Sequence, residues 1–188
     1  MKRWLFPLLL SLAAAPAGAQ QVQSYETPGN LKPTHDLACI GISEVRNDYT
    51  PADLMTGYVK CTQAGRYDDA LVLMLVAGTY ASFDSQRVSD VSAHDAFQAI
   101  EANIPQDEKV KAGLQPVFEK YKAANSPEMA KFCTDLKHLG PPNYYPAYMV
   151  AHGMGAFLGT GGLVKDFDAK KGWKTAVDQY MHCDVSGL

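Results

Sequence analysis

Apolar residues along this chain recur at helical spacing, and the gaps between the runs carry helix-start and helix-stop chemistry. Thr50 before Pro51, with Asp53 three residues on, supplies a cap, a proline at the first helical position and an acid in the first turn. A helix over about 51–63 is predicted. Gly65 closes it, and Asp68 and Asp69 open a second helix to about residue 87, their charge meeting the positive end of the helix dipole. Residues 70–83 are apolar nearly all round, softened by Gly78, Thr79, Tyr80 and Ser82, which predicts a central buried helix. Asp68 and Asp69 before this run and Asp84 after it are expected in water or at the domain surface. Ser92, with Asp95 three residues later, is placed to cap a short helix through Ala96, Phe97 and Ile100 that ends at 103–105.

Over 106–124, Val110, Leu114, Val117, Phe118 and Tyr121 line one face of an amphipathic helix, with a kink or restart expected at Gly113 and Pro116. Ser126-Pro127-Glu128 repeats the cap, proline and acid order for a helix to about His138, halted by Gly140-Pro141-Pro142. Another helix is expected over 146–158, with Ala147, Ala151 and Gly155 on a small-residue side, followed by a glycine-rich loop at 159–162. In 168–183, Trp173, Val177, Tyr180 and Met181 mark the last helix. No segment alternates convincingly over four to eight residues. The expected fold is all-α: one compact domain of six or seven helices over 35–188.

The N-terminus changes the picture. Lys2 and Arg3, the apolar run from Trp4 to Ala15, and Ala17-Gly18-Ala19 ahead of Gln20 have the three parts of a secretory signal peptide cleaved near Ala19. No cysteine follows that point, so a lipid anchor is not indicated. Residues 20–34, with Pro28-Gly29-Asn30 and Lys32-Pro33, are expected as a flexible arm. The export reading places the protein in the periplasm or outside the cell, where cysteines pair. Cys39, Cys61, Cys133 and Cys183 allow three pairings. The expected one joins Cys39 to Cys61 and Cys133 to Cys183, stapling neighbouring segments within each half of the chain.

The whole chain carries 17 basic and 20 acidic residues. Without Lys2 and Arg3 the net charge becomes −5, which argues against a nucleic-acid partner. The apolar stretch at 70–83 is shorter than the ~20 residues a membrane span needs. No cofactor is expected: Leu158 stands where a dinucleotide fingerprint would need glycine, and no lysine and hydroxyl pair follows as in a phosphate loop.

Residues 54–77 bear a local likeness to one family. Gly65, Tyr67, Ala70 and Ala77 stand where a tetratricopeptide unit has its helix-ending glycine, its aromatic wedge and its close-approach alanines. The segment around Tyr58, Cys61 and Leu71 thus resembles a tetratricopeptide-type helical hairpin, with Leu54 at a large-apolar position, Gly57 one residue early and Cys61 replacing an aromatic. No second copy follows at the family's period, and repeat arrays need neighbours. The resemblance implies a helical hairpin and, from the family's use, peptide or protein binding.

Candidate chemistry is sparse. His152, beside the glycine-rich loop, is the candidate general base, with Asp166 or Asp168 as the carboxylate brought beside it by folding. Its bland alternative is a packed or surface histidine among small residues. His35-Asp36 before Cys39 suggests a phospholipase-type pair, but the order is reversed. Cys133 and His138 with His182 and Cys183 could supply two sulfurs and two imidazoles to zinc, yet no Cys-x-x-Cys spacing is present, and no metal is assigned. Tyr144, Tyr145 and Tyr148, on a proline-stiffened hinge, are the candidate binding patch, because rigid aromatics give contact area at little ordering cost. The same rings could instead lid the core. The sequence therefore predicts an exported helical binding module with a protein partner, an inhibitor or immunity-type protein being its specific form. The alternative is a small periplasmic hydrolase using His152.

Overall fold

A computed structural model describes residues 27–105 and 107–188. The segment expected as a signal peptide, 1–19, and the first part of the expected arm, 20–26, lie outside the described residues. Eight α-helices are present and no strand among the described residues: α1 Pro51–Gln63, α2 Tyr67–Arg87, α3 Ala96–Ala102, α4 Glu108–Lys122, α5 Pro127–Leu139, α6 Ala147–Val150, α7 Met154–Leu158 and α8 Ala169–Thr175. The fold is all-α, and its two cysteine pairs are Cys39–Cys61 and Cys133–Cys183. Two disulfides mark an oxidising compartment. No helix among the described residues is long and apolar enough to cross a membrane.

The reciprocal cap at the start of α1 forms as its spacing predicts: Asp53 N donates to Thr50 Oγ1 at 3.1 Å and Thr50 N to Asp53 Oδ2 at 2.7 Å. Asp53 also fastens the incoming chain, accepting from Thr34 N at 2.5 Å and His35 N at 2.6 Å. Burial alone would raise its carboxyl, but the hydrogen bonds from His35 and Thr50 hold it below the ordinary carboxylate range. The described part of the arm is thus tied down, with Leu31 N donating to Tyr148 O at 3.1 Å.

α1 turns at Gly65, whose φ of +72° suits glycine, and packs on α2 as a helical hairpin. α2 is the axis of the molecule. Ala70, Leu73, Val76, Ala77, Tyr80 and Phe83 are all buried, and α1, α4, α8 and the segment after α8 pack on it. Asp84 departs from expectation: it lies fully buried, because tyrosines from further along the chain close over it.

Four other elements differ from the sequence expectation. α4 runs through Pro116 without restarting, and Gly113 is where the Tyr67 ring lies against the helix, leaving no room for a Cβ. Ser92 is not the cap of α3; Asp90 caps the short turn Val91–Ala93 before it, while the Ser92 hydroxyl accepts from Met154 N. The helix expected over 146–158 is two helices, α6 and α7, with His152 in the break. It breaks because Gly153 is extended and the amides of Met154 and Gly155 turn to Ser92 Oγ (2.9 Å) and Asp90 Oδ2 (2.5 Å). α8 widens into a π-turn, Ala176–Tyr180, that lays Tyr180 Oη against Gly78.

Candidate functional site

Among the described residues, the three most exposed large apolar side chains, Val91, Leu158 and Met154, gather with Phe157, Leu163 and Val164 on three segments that are bonded to one another, while Phe118, Tyr145 and Tyr180 are exposed elsewhere. α7 places Met154, Phe157 and Leu158 at i, i+3 and i+4, on one helix face. Met154 is 60% and Leu158 70% exposed. Through the Met154 N to Ser92 Oγ bond, this face joins the turn bearing Val91, which is 75% exposed. The glycine-rich loop completes the surface. Thr160 N and Gly161 N both donate to Gly155 O, at 2.9 and 3.0 Å, folding the loop against α7. Ser89 N to Gly162 O and Val164 N to Arg87 O then pair 162–164 with the end of α2, leaving Leu163 and Val164 exposed.

The glycines here have a packing cause. A Cβ at Gly153 would strike Asp90 and Ala93, and one at Gly155 would lie 2.8 Å from Gly161 N. Asp90 is the organiser: Ser92 and the Gly155 amide hold its carboxyl below the ordinary range, so it stays ionised as it caps α7.

The tyrosine hinge is turned largely inward. Tyr148 is buried, Tyr144 half-buried, and Tyr145 alone of the three is exposed. Tyr144 Oη and Tyr148 Oη each donate to Asp84 Oδ2 at 2.9 Å, and Arg87 Nε donates to Asp84 Oδ1 at 2.8 Å. Arg87 lies over the Phe83 and Tyr144 rings, 5.1 and 5.3 Å from their centroids. Its Nη2 sits 2.7 Å from the same oxygen but without hydrogen-bond geometry. Burial pushes Asp84 up to about 6, against the pull of Arg87 and the two phenols, and burial likewise raises both tyrosines. These rings thus lid the core and satisfy a buried acid.

His152 has partners at both ring nitrogens: Asn30 Oδ1 at 3.0 Å from Nδ1 and Asp95 Oδ1 at 3.4 Å from Nε2. The carboxylate beside it is therefore Asp95, not Asp166 or Asp168. Asp168 accepts from Lys171 N as the cap of α8, and Asp166 lies exposed in a left-handed turn. His35 faces Asp53 rather than Asp36, which pairs with Lys60. Of the sulfur and imidazole set, Cys133 and Cys183 are bonded to each other. No group of three or more His, Cys, Asp or Glu side chains that could hold a metal occurs among the described residues.

Sequence reasoning missed the apolar surface because Met154, Phe157 and Leu158 have the spacing of a core face. The available signal was the run from Phe157 to Val164, apolar and glycine residues broken only by Thr160. It also missed a polar cleft of about 700 Å3 between the loop at 42–48 and α5. Compared with protein-family models, with curated proteins and with solved structures, the chain matches none.

Proposed function

We propose that this chain is an exported helical binding module acting through a protein partner, docked on the surface formed by Val91, Met154, Phe157, Leu158, Leu163 and Val164. One observation carries the reading. Apolar groups are concentrated on a short helix and loop that Asp90, Ser92 and the Arg87–Gly162 pairing hold in place, so docking there orders little that is not already ordered. The disulfides support action in an oxidising compartment, and the signal peptide of the sequence reading makes that compartment the periplasm or the outside. An inhibitor or immunity-type role is the specific form of this reading.

A photo-reactive amino acid at Leu158, compared with one at Lys109, tests it in the exported protein. The expected result is one discrete protein adduct at 158, absent at 109 and lost when Phe157→Asp is added. Equal adducts at both positions, or none at 158, would overturn the proposal. The hydrolase alternative has one supporting observation, the Asp95 carboxylate near His152. Loss of activity in a folded His152→Ala protein would favour it, and an unchanged phenotype would remove it.

A further inference from the structure

The cleft of about 700 Å3 shares no residue with the apolar surface. One wall is the loop at 42–48 and the other is α5. Both walls are anchored: Cys39–Cys61 fixes the chain entering the loop, and Cys133–Cys183 fixes α5. The loop is also laced to the segment after α5, Asn143 N donating to Asn47 O at 2.7 Å and Asn47 Nδ2 to Pro141 O at 3.3 Å. Preformed cavities of several hundred Å3 are the usual form of small-ligand sites.

The charges select the ligand. On the loop, Arg46 donates through Nε to Asp48 Oδ1 at 2.8 Å and through Nη2 to Oδ2 at 2.5 Å, with its guanidinium 4.7 Å from the Tyr49 ring centroid. On α5, Lys131 Nζ donates to Asp135 Oδ2 at 2.6 Å. A lone anion entering here meets Asp48 and Asp135, and a lone cation meets Arg46 and Lys131. A ligand bearing both charges meets neither penalty. Arg46, Asp48 and Lys131 are exposed and Asp135 is partly so, so these surface pairs exchange partners at modest cost. Val45 and Leu139 give the same cleft apolar lining.

We propose that this cleft binds a zwitterionic short peptide, its free carboxylate on the planar fork of Arg46 and its free ammonium on Asp135. Its side chains lie toward Val45 and Leu139. The volume suits a ligand of this size rather than a single ion.

Titration of the full exported protein with tri-alanine, followed by amide NMR shifts at Leu139 and Asn143, tests the assignment. N-acetylated and C-amidated tri-alanine serve as the paired probes. Saturable binding of the free peptide is expected, weakened tenfold or more by blocking either end. Arg46→Gln and Asp135→Asn should each cause a similar loss with unchanged melting, because these side chains lie at the surface of the fold. Leu158→Asp should bind the peptide as the parent does, which separates this site from the docking surface. No saturable shift with tri-alanine, or equal binding of the blocked forms, overturns the proposal.

Discussion

Asp84 lies within the apolar turns of α2, yet it is fully buried, and what it touches decides how it behaves. Its folded value of about 6 stands above the ordinary carboxyl value of 3.8, so the folded state holds the proton more tightly than the unfolded chain. Asp84 therefore contributes stability in full below about pH 4. That contribution is lost as pH rises through 6. Asp84→Asn removes this titration, and thermal unfolding should show the substitution costing more at pH 4 than at pH 7, by roughly 2 to 3 kcal/mol. A cost independent of pH would show that the carboxyl stays ionised in the folded protein. Asp53 works in the opposite sense, its lowered value giving stability that disappears as pH falls through it. That loss is common to both proteins and cancels in the comparison. The sequence showed Asp53 as a capping acid, because a cap is local. It could not show Asp84 buried, because Tyr144 and Tyr148 reach it from sixty residues or more away.

Elements with strong punctuation fall where their spacing put them. α1 begins and ends at the predicted residues, and α5 starts at Pro127 behind Ser126, whose hydroxyl accepts from Met129 N at 3.0 Å. The segment over 146–158 misled because its helical spacing is real, while the break at 151–153 is made by Asp90 and Ser92 from another part of the chain. The same contact places the docking face, which explains why that face could not be read from periodicity. Gly155 tests this link. A methyl there meets Gly161 N at 2.8 Å and Gly161 Cα at 2.9 Å, so Gly155→Ala must push the glycine loop off α7. Although alanine favours helix, the substitution should destabilise by about 1 to 3 kcal/mol. Hydrogen exchange should quicken at Gly161 and Val164, and unchanged protection there would disconnect the loop from α7.

For the whole molecule, the two disulfides close loops of different span, 22 residues between Cys39 and Cys61 and 50 between Cys133 and Cys183. Chain-entropy reasoning gives roughly 3 kcal/mol for the shorter and about 4 for the longer. Urea unfolding of Cys39→Ser/Cys61→Ser and of Cys133→Ser/Cys183→Ser should rank them in that order. The reverse ranking would mean that native packing, not loop length, sets their worth. The pairing was legible because each bond stays within one half of the chain, whereas the cleft between the disulfide-held walls was not, since it needs the loop at 42–48 beside α5.

The arm near the start of the chain is fastened by residues near its end: Asn30 to His152, 122 positions apart, and Leu31 N to Tyr148 O. Thr34 and His35 find their partner, Asp53, within twenty residues, but Asn30 and Leu31 wait for His152 and Tyr148, which arrive only after more than a hundred further residues. The last closure of the fold therefore waits for nearly complete synthesis. The clasp of Asn30 and Leu31 onto α6 and the break after it is thus a contact that only a chain made past residue 152 can close.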